Sequence, residues 1–181
     1  MIYPNDLMSE VLYTSDQIKA RAKEIACQIN KDYEGKPLTI VCTLKGAVPF
    51  FSDVVLNVNI NCNLEFIKAS SYIGNTTTTI GNVKLTAVMN FDIKDRYILI
   101  VEDIVDTGLT CEKLINYFNE NGCKEVAVAT MLDKPERRVV DVKPKYVGFS
   151  IPDKFVIGYG LDYNEAYRNI DKVGVINKKY I

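Results

Sequence analysis

Residues 97–110 read Y-I-L-I-V-E-D-I-V-D-T-G-L-T, and this stretch decides the fold. Its first five residues are apolar and rich in β-branched side chains, as in a strand buried on both faces of a parallel sheet. Glu102 and Asp103 follow, and we expect them at the carboxyl end of that strand. The next turn, Asp106 to Thr110, combines a glycine and two hydroxyls with the free backbone N–H groups of a starting helix. Such a helix entrance favours phosphate binding.

The two acids that precede this turn need a different ligand, because carboxylates beside a phosphate would repel it. We interpret Glu102 and Asp103 as partners of sugar hydroxyls, or of a Mg²⁺ that arrives with the ligand. Together, the acids and the turn predict a site for a ribose phosphate.

Composition limits the class of protein. The chain has 181 residues, of which 48% are hydrophobic, so it can bury a core as one domain without disulfides. Its 22 basic and 23 acidic residues leave a net charge of −1, which gives no field for gathering nucleic acid. We expect a small anionic ligand bound at a local site.

Cysteine and histidine usage restricts the chemistry further. The five cysteines are scattered without C-x-x-C spacing, and we interpret them as reduced core residues of a cytoplasmic protein. No segment has the length of a membrane span or the pattern of a signal peptide. Because the sequence contains no histidine, acid–base chemistry falls to carboxylates, lysines or tyrosines, and any metal should be a hard cation on oxygen ligands.

Strand and helix patterns alternate along the chain. The first helix is predicted over 14–33, with Thr14 and Gln17 as a capping box. A polar stretch at 70–82, with glycines near both ends, is interpreted as a hinged lid. The alternation predicts an α/β fold with an open, mostly parallel sheet flanked by helices, whose ligands sit at the carboxyl ends of the strands. The remaining predicted elements are strands at 38–44, 64–69, 83–89, 97–101, 126–132, 146–149, 155–159 and 173–176, and helices at 47–56 and from the turn to about 121.

The segment E-D-I-V-D-T-G-L-T at 102–110 resembles the phosphoribosyl pyrophosphate signature of the purine phosphoribosyltransferases. Three further segments, L-K-G at 44–46, L-D-K-P at 132–135 and I-P-D-K-F-V-I-G-Y-G-L-D-Y-N-E-A-Y-R at 151–168, resemble the hypoxanthine-guanine branch of that family. The resemblance implies a type I phosphoribosyltransferase fold. It would be a single domain over 1–181 with a small hood built from the terminal segments and a flexible lid at about 70–82.

The resemblance also implies a reaction and its partners. A 6-oxopurine (hypoxanthine, guanine or xanthine) and phosphoribosyl pyrophosphate would give a nucleoside 5′-monophosphate and pyrophosphate, with Mg²⁺ as cofactor. It implies a homodimer or homotetramer that binds small molecules, and neither nucleic acid nor membranes. The preferred base and the oligomeric state are left open by the sequence.

The same resemblance assigns roles around the phosphate turn. Asp106 would be the catalytic base that takes the proton from purine N7, with an ordinary helix cap as the alternative. Glu102 and Asp103 match the acids that bind ribose and Mg²⁺, although adjacent acids at a strand end are often only solvated. The 5′-phosphate would be bound by Asp106, Thr107, Gly108, Leu109 and Thr110. Some relatives carry lysine in place of Leu109, so phosphate affinity is open.

Pyrophosphate would be bound by Lys45, Gly46 and Arg168, where glycine permits close approach of the backbone. In this family the peptide before the lysine can be cis. A surface lysine and a surface ion pair are the alternatives. Ser71 and Tyr72 match the lid dipeptide that excludes water from the reacting centre.

Four residues match the purine-binding positions of the family. Lys134 would donate to the purine O6 and so select a 6-oxo over a 6-amino base, because adenine presents a donor there. Phe155 would stack on the ring, and Val156 would offer backbone groups to its edge. Asp162 would bind a second Mg²⁺ or the N2 side of the purine. A solvated turn for Lys134 and a core position for Phe155 are the alternatives.

Two other classes of function share this kind of fold. One is a regulatory protein that binds phosphoribosyl pyrophosphate as a signal, and the sequence disfavours it because there is neither a basic face nor an additional DNA-binding domain. The other is a phospho-acceptor signalling domain. That class needs its acidic pair after the first strand, whereas here the acids follow a later strand.

Overall fold

The structure is a computed structural model that describes residues 3–4, 6–72, 82–87 and 92–181, with 69–72 and 82–87 described by their backbone only. The described residues form nine strands, three α-helices and two short 3-10 helices, Pro135–Arg137 and Lys178–Tyr180. In chain order the strands and α-helices are β1 (Met8–Tyr13), α1 (Ser15–Asp32), β2 (Leu38–Leu44), α2 (Val48–Val55), β3 (Cys62–Tyr72), β4 (Asn82–Ala87), β5 (Tyr97–Val105), α3 (Leu109–Glu120), β6 (Glu125–Asp133), β7 (Tyr146–Ser150), β8 (Val156–Ile157) and β9 (Val173–Ile176).

The main sheet has six strands in the order β4-β3-β2-β5-β6-β7. Five strands, β3, β2, β5, β6 and β7, are parallel to one another, and β4 is antiparallel at one edge. This arrangement confirms the predicted α/β fold. Each parallel strand carries its carboxyl end to the same edge of the sheet, which is where such folds bind ligands.

Helices cover both faces of this sheet because side chains alternate along each strand. Ile40 and Cys42 of β2 point to the face covered by α1 and α2, where they join the core with Ile25 and Phe50. Val41 lies between them in sequence and packs on the opposite face with α3. Helix α1 begins as predicted, since Thr14 and Gln17 form a capping box.

A second sheet, β1-β9-β8, is antiparallel and joins the two ends of the chain. It forms the hood that the resemblance implied. Val156 of β8 and Val173 of β9 share one hydrophobic cluster with Ile18 and Ile40, so the hood is packed onto the main sheet. Strand β1 has no counterpart in the sequence prediction.

Several predicted boundaries are wrong. Strand β5 runs on to Val105, so Glu102 and Asp103 lie inside the strand rather than after it. Strand β8 is limited to two residues, because Gly158 and Tyr159 have positive φ and turn the chain. Strand β3 runs from Cys62 through Tyr72 and so extends beyond both ends of the strand predicted at 64–69.

Three further predictions concern the lid, the cysteines and membrane-spanning segments. Most of the lid predicted at 70–82, namely 73–81, lies outside the described residues. The cysteines form no disulfide, but only Cys42 and Cys111 are buried, and Cys27 is exposed, so the expectation of five core cysteines is wrong. In the described part of the chain, no helix combines the length and apolar character that crossing a bilayer requires.

Candidate active site

A cavity of about 490 Å³ lies at the carboxyl ends of β5 and β6, lined also by the segment after β7 and by β8 of the hood with its following loop. This volume is in the range of small-molecule sites. Its lining combines carboxylates, two cations and apolar side chains: Asp103, Ile104, Asp106, Lys134, Arg137, Asp153, Phe155, Val156, Leu161 and Asp162. Seven of these residues come from turns and short segments that follow the strands rather than from the strands themselves.

The two acids on β5 differ in exposure: Glu102 is buried, whereas Asp103 is half-buried and lines the cavity. Glu102 is only 5% exposed, and its Oε1 atom has no hydrogen-bond partner among the described residues. Asp103 accepts a hydrogen bond from the backbone N–H of Ile104 at 2.8 Å. Burial raises the pKa of Glu102 well above its usual range, with the charge of Asp103 adding to the effect, and it raises the pKa of Asp103 to about 6. A cation at this pair would favour the charged forms.

Gly46 lies directly against this pair. A Cβ atom at position 46 would overlap the carboxylate of Asp103, so no larger residue fits without displacing that acid. The sequence argument required glycine for the approach of a ligand, whereas the neighbour in the structure is a side chain of the protein. The Leu44–Lys45 peptide that precedes it is cis.

The turn from Asp106 to Gly108 leads into α3, whose first residue is Leu109. Gly108 has φ +86°, and a Cβ there would lie 2.8 Å from the side chain of Arg138 and 2.9 Å from that of Val140, closer than a real Cβ atom allows. Val139 donates a backbone hydrogen bond to the carbonyl of Thr107 at 3.0 Å. The segment after β6 therefore packs over the turn and fixes its shape.

Arg138 stabilises the packing of this segment over the turn. Its guanidinium pairs with Asp133 at the end of β6 and donates to the carbonyls of Val142 and Val105. Both charged partners are largely buried, so the pair is held in one geometry. The phosphate turn is thus braced by β6 as well as by its own helix.

The catalytic candidate Asp106 faces the cavity together with the purine candidate Lys134. The Asp106 Oδ1 atom lies 2.6 Å from Nε of Arg137. Lys134 is buried, and its Nζ atom lies 3.3 Å from Oδ1 of Asp153. The second oxygen of Asp153 accepts from Nη1 of Arg137 at 3.0 Å. Four alternating charges therefore follow one wall of the cavity.

Phe155 is 49% exposed although it lines the cavity, so the alternative of a core position is excluded. Its ring meets Tyr163 edge to face at 5.8 Å, which leaves one ring face available for a planar ligand. Val156 is buried in β8. Asp162 accepts from the backbone N–H of Glu165 at 2.9 Å.

Lys45 and Arg168 are brought together by a residue that the sequence argument did not assign. The Glu165 carboxylate lies 2.7 Å from Lys45 Nζ and 3.3 Å from Nη2 of Arg168. Arg168 also pairs with Asp162 at 2.8 Å and donates to the carbonyl of Gly160. The predicted pyrophosphate residues therefore lie beside the second metal candidate.

The metal candidates come from two parts of the chain. Glu102 and Asp103 are adjacent on β5, whereas Asp162 belongs to the loop beyond β8, and both Asp103 and Asp162 line the cavity. No three Asp, Glu or Cys side chains converge as a metal cluster in the described residues. The lid candidates Ser71 and Tyr72 end β3 and pair with Val83 and Asn82, and their side chains are not described.

Sequence reasoning missed Arg137, Arg138, Asp153 and Glu165. Each stands within or next to a segment that was recognised, but Arg137, Asp153 and Glu165 have partners on other loops, and Arg138 pairs with Asp133 at the end of β6. Their charge alone carried no signal, because Glu136, Arg137 and Arg138 also fit a solvated turn. These residues meet their partners only when three loops fold to the same edge of the main sheet.

Comparison with known proteins identifies the family of this chain. A family model described as phosphoribosyl transferase domain matches residues 9–164. A hypoxanthine-guanine phosphoribosyltransferase of Streptococcus pneumoniae strain R6 is 42% identical over 175 residues, which cover 97% of this chain and 96% of that protein. The chain belongs to the hypoxanthine-guanine phosphoribosyltransferase family. As a member of this family it is a transferase, and the regulatory alternative is not supported.

Solved structures of hypoxanthine phosphoribosyltransferases agree with this membership. The protein from Staphylococcus aureus is 38% identical with a TM-score of 0.89, and the match covers 97% of this chain and 95% of that chain. The Trypanosoma cruzi enzyme, solved as a ternary complex with substrates, is 33% identical with a TM-score of 0.90, covering 97% and 99%. The hypoxanthine-guanine phosphoribosyltransferase fold is therefore shared over nearly the whole chain.

Proposed function

We propose that this enzyme transfers the 5-phosphoribosyl group from phosphoribosyl pyrophosphate to a 6-oxopurine, giving a nucleoside 5′-monophosphate and pyrophosphate in purine salvage. The observation that carries this assignment is the cavity in which Asp106, Lys134 and Phe155 face one space beside the phosphate turn. A planar base fits between an aromatic ring and a cation, and the turn fits a phosphate.

The chemistry follows from what each group offers. The bond between C1′ of the sugar and the pyrophosphate oxygen breaks, a bond between C1′ and N9 of the purine forms, and the proton on N7 passes to Asp106. Lys134 donates to O6, and Phe155 stacks on the ring. The turn at Thr107, Gly108, Leu109 and Thr110 holds the 5′-phosphate, which fixes C1′ beside the base.

The leaving group is the role proposed for Lys45, Gly46 and Arg168. A developing pyrophosphate anion is stabilised by nearby cations, and an arginine offers several donors to its oxygens. Ser71 and Tyr72 are proposed as the closing dipeptide of a lid at about 70–82. Closure would keep water from the activated sugar.

Mg²⁺ is the proposed cofactor, and the residues present fit it. Glu102 and Asp103 are oxygen donors whose pKa values are raised, chiefly by desolvation, and the buried Glu102 retains an oxygen without a partner in the described structure. Hard oxygen ligands of this kind suit Mg²⁺. When bound, the ion would neutralise charge on the sugar pyrophosphate. Asp162 is proposed for a second ion beside Arg168.

A steady-state assay tests the function. Purified protein is given phosphoribosyl pyrophosphate and Mg²⁺ with hypoxanthine, guanine, xanthine or adenine, and nucleotide formation is measured. We expect turnover of at least one 6-oxopurine and little turnover of adenine, because Lys134 meets a donor on adenine. Binding of phosphoribosyl pyrophosphate without turnover of any base would overturn the assignment.

A surface on α2 and β3 supports a proposal for the assembly of the enzyme. On α2, Phe50, Phe51 and Val54 are buried in the core, but Val48 is exposed. Exposed Phe66 of β3 contacts Phe51 and extends this apolar surface, so we propose a homodimer or homotetramer through it. A Val48→Glu variant that keeps the native mass on light scattering would contradict this. Unpaired cysteines support a cytoplasmic location.

A further inference from the structure

Asp153 is an acid of the cavity wall to which no role has yet been assigned. We propose that Asp153 is a positioning residue that holds two cations, Lys134 and Arg137, side by side at the 6-oxo edge of the bound purine. Asp153 acts only through these partners, and its role therefore depends on the proposed role of Lys134. Selection against 6-amino purines would then require two donors rather than one.

The carboxylate of Asp153 gives one oxygen to each cation. Oδ1 lies 3.3 Å from Nζ of Lys134, and Oδ2 lies 3.0 Å from Nη1 of Arg137. The Lys134 side chain is only 8% exposed, and a buried ammonium needs an anionic or polar partner. Within the described residues, Asp153 is the only carboxylate in ion-pair distance of that ammonium. Its position therefore determines where the Lys134 charge lies.

Arg137 extends the same row of charges to the proposed base. Its Nε atom lies 2.6 Å from Oδ1 of Asp106, while its Nη1 atom is held by Asp153. On a purine, O6 and N7 are neighbours on one edge, and Asp106 and Lys134 are assigned to N7 and O6. Arg137 lies between those two residues in the row of charges, and a guanidinium can donate to a carbonyl acceptor such as O6. The geometry thus places a second donor at the 6-oxo edge.

Asp153 is poorly placed to serve stability alone. It is 50% exposed, and exposed ion pairs contribute little to folding. The hydrogen bond from Arg137, followed by that from Lys134, holds the pKa of Asp153 below its usual range, so the acid stays charged at neutral pH. Replacing it by asparagine should leave the fold intact while releasing both cations.

The test uses Asp153→Asn, Lys134→Gln and the double variant, with Glu10→Gln as the matched control. Glu10 is 51% exposed and pairs with Lys154, the residue next to Asp153, but it does not line the cavity. The measured quantities are kcat and KM for hypoxanthine, adenine and phosphoribosyl pyrophosphate. We expect Asp153→Asn to raise KM for hypoxanthine about tenfold, to reduce the hypoxanthine preference in kcat/KM, and to leave KM for phosphoribosyl pyrophosphate within about twofold.

Coupling between the residues gives the sharper readout. In the Lys134→Gln background, Asp153→Asn should change hypoxanthine kinetics by no more than about twofold, because its partner is already gone. Asp153→Glu should restore part of the preference lost in Asp153→Asn. Arg137→Gln should by itself reduce the preference for hypoxanthine over adenine. An unchanged preference would show that Arg137 does not help to recognise O6.

Failure of this inference and failure of the proposed function look different. If Lys134→Gln loses the preference while Asp153→Asn keeps it, Asp153 does not position Lys134, and the function stands. If Lys134→Gln itself behaves like the native enzyme, the role proposed for Lys134 is wrong. A uniform loss with all substrates, together with a lower melting temperature, would show that Asp153 is structural.

Discussion

Glu165 places a carboxylate oxygen 2.7 Å from the ammonium of Lys45. The same side chain reaches Arg168, so one internal acid occupies both cations proposed for pyrophosphate. A carboxylate in that position competes with the pyrophosphate oxygens for the same donors. With Lys45 and Arg168 in their proposed role, an incoming pyrophosphate group would have to displace Glu165 from both cations.

Glu165→Gln is accordingly expected to strengthen pyrophosphate binding. Because Lys45 and Glu165 are both more than half exposed, the gain should be modest, about twofold to fivefold. The inhibition constant of pyrophosphate at fixed Mg²⁺ measures it. Glu24→Gln is the control, since Glu24 forms a similar exposed pair with Arg21 on α1. Weaker pyrophosphate binding in Glu165→Gln would mean that the acid orients the cations instead of competing for them.

Asp106→Asn should keep substrate binding while losing turnover about a hundredfold or more, since an amide cannot take the N7 proton. The asparagine still reaches the turn and preserves its shape. Comparison of kcat with the dissociation constants of both substrates separates the two effects. Full activity in this variant would remove Asp106 from the mechanism.

Gly46→Ala tests the contact between the turn after β2 and Asp103 of β5. The added methyl group would overlap the Asp103 carboxylate, so we expect loss of Mg²⁺-dependent substrate binding and of activity. Gly35→Ala is the control, because an added methyl there meets nothing within 4 Å. That variant should lose some stability through its φ of +69° and retain activity. Native substrate affinity in Gly46→Ala would contradict the assignment of Asp103.

The pH dependence of stability is expected to involve Asp32, which is remote from the site. Tyr146 donates to Asp32 Oδ2 at 2.6 Å, and this bond, more than the neighbouring Lys145, lowers the pKa of Asp32 below 3.8. An acid whose pKa is lowered by folding stabilises the protein above the unfolded value, and that contribution is lost as the pH falls through the folded value. Asp32→Asn should therefore lower the melting temperature near neutral pH.

At a pH well below 3.8 the Asp32→Asn and native melting temperatures should converge. Tyr146→Phe should behave in the same way, because it removes the donor. Asp141→Asn, in an almost fully exposed pair with Lys143, should differ little from the native protein at any pH. A difference for Asp32→Asn that persists in acid would assign the effect to packing.

Local patterns predicted most of the main sheet. The bounds of β2 and β9 agree with the predictions because each is a short apolar run between clear breakers, and α1 follows its capping box. Strand β1 was missed because its residues alternate poorly, and its pairing partner β9 lies at the other end of the chain. Pairing over that distance leaves no local signal.

The site, like the sheet, was predicted where a local motif marked its residues and missed where distant segments meet. Motifs indicated Asp106, Lys134 and Phe155, and the structure brings all three to one cavity, although their roles remain predictions. The contacts of Asp153 and Glu165 were out of reach, because an ion pair depends on where two loops end in space. Glu102 and Asp103 were placed after the strand because acids usually end one, whereas β5 contains both and buries Glu102.

The hood has a consequence for how the enzyme is made. Strand β8, which carries the cavity-lining Val156, is held by β9, and β9 also pairs with β1. During synthesis the turn proposed for the 5′-phosphate can therefore take shape long before the wall proposed for the purine, which must wait for Val173–Ile176 to emerge from the ribosome. A chain cut short before β9 would keep the residues proposed to hold a sugar phosphate and lack the support for those proposed to choose a base.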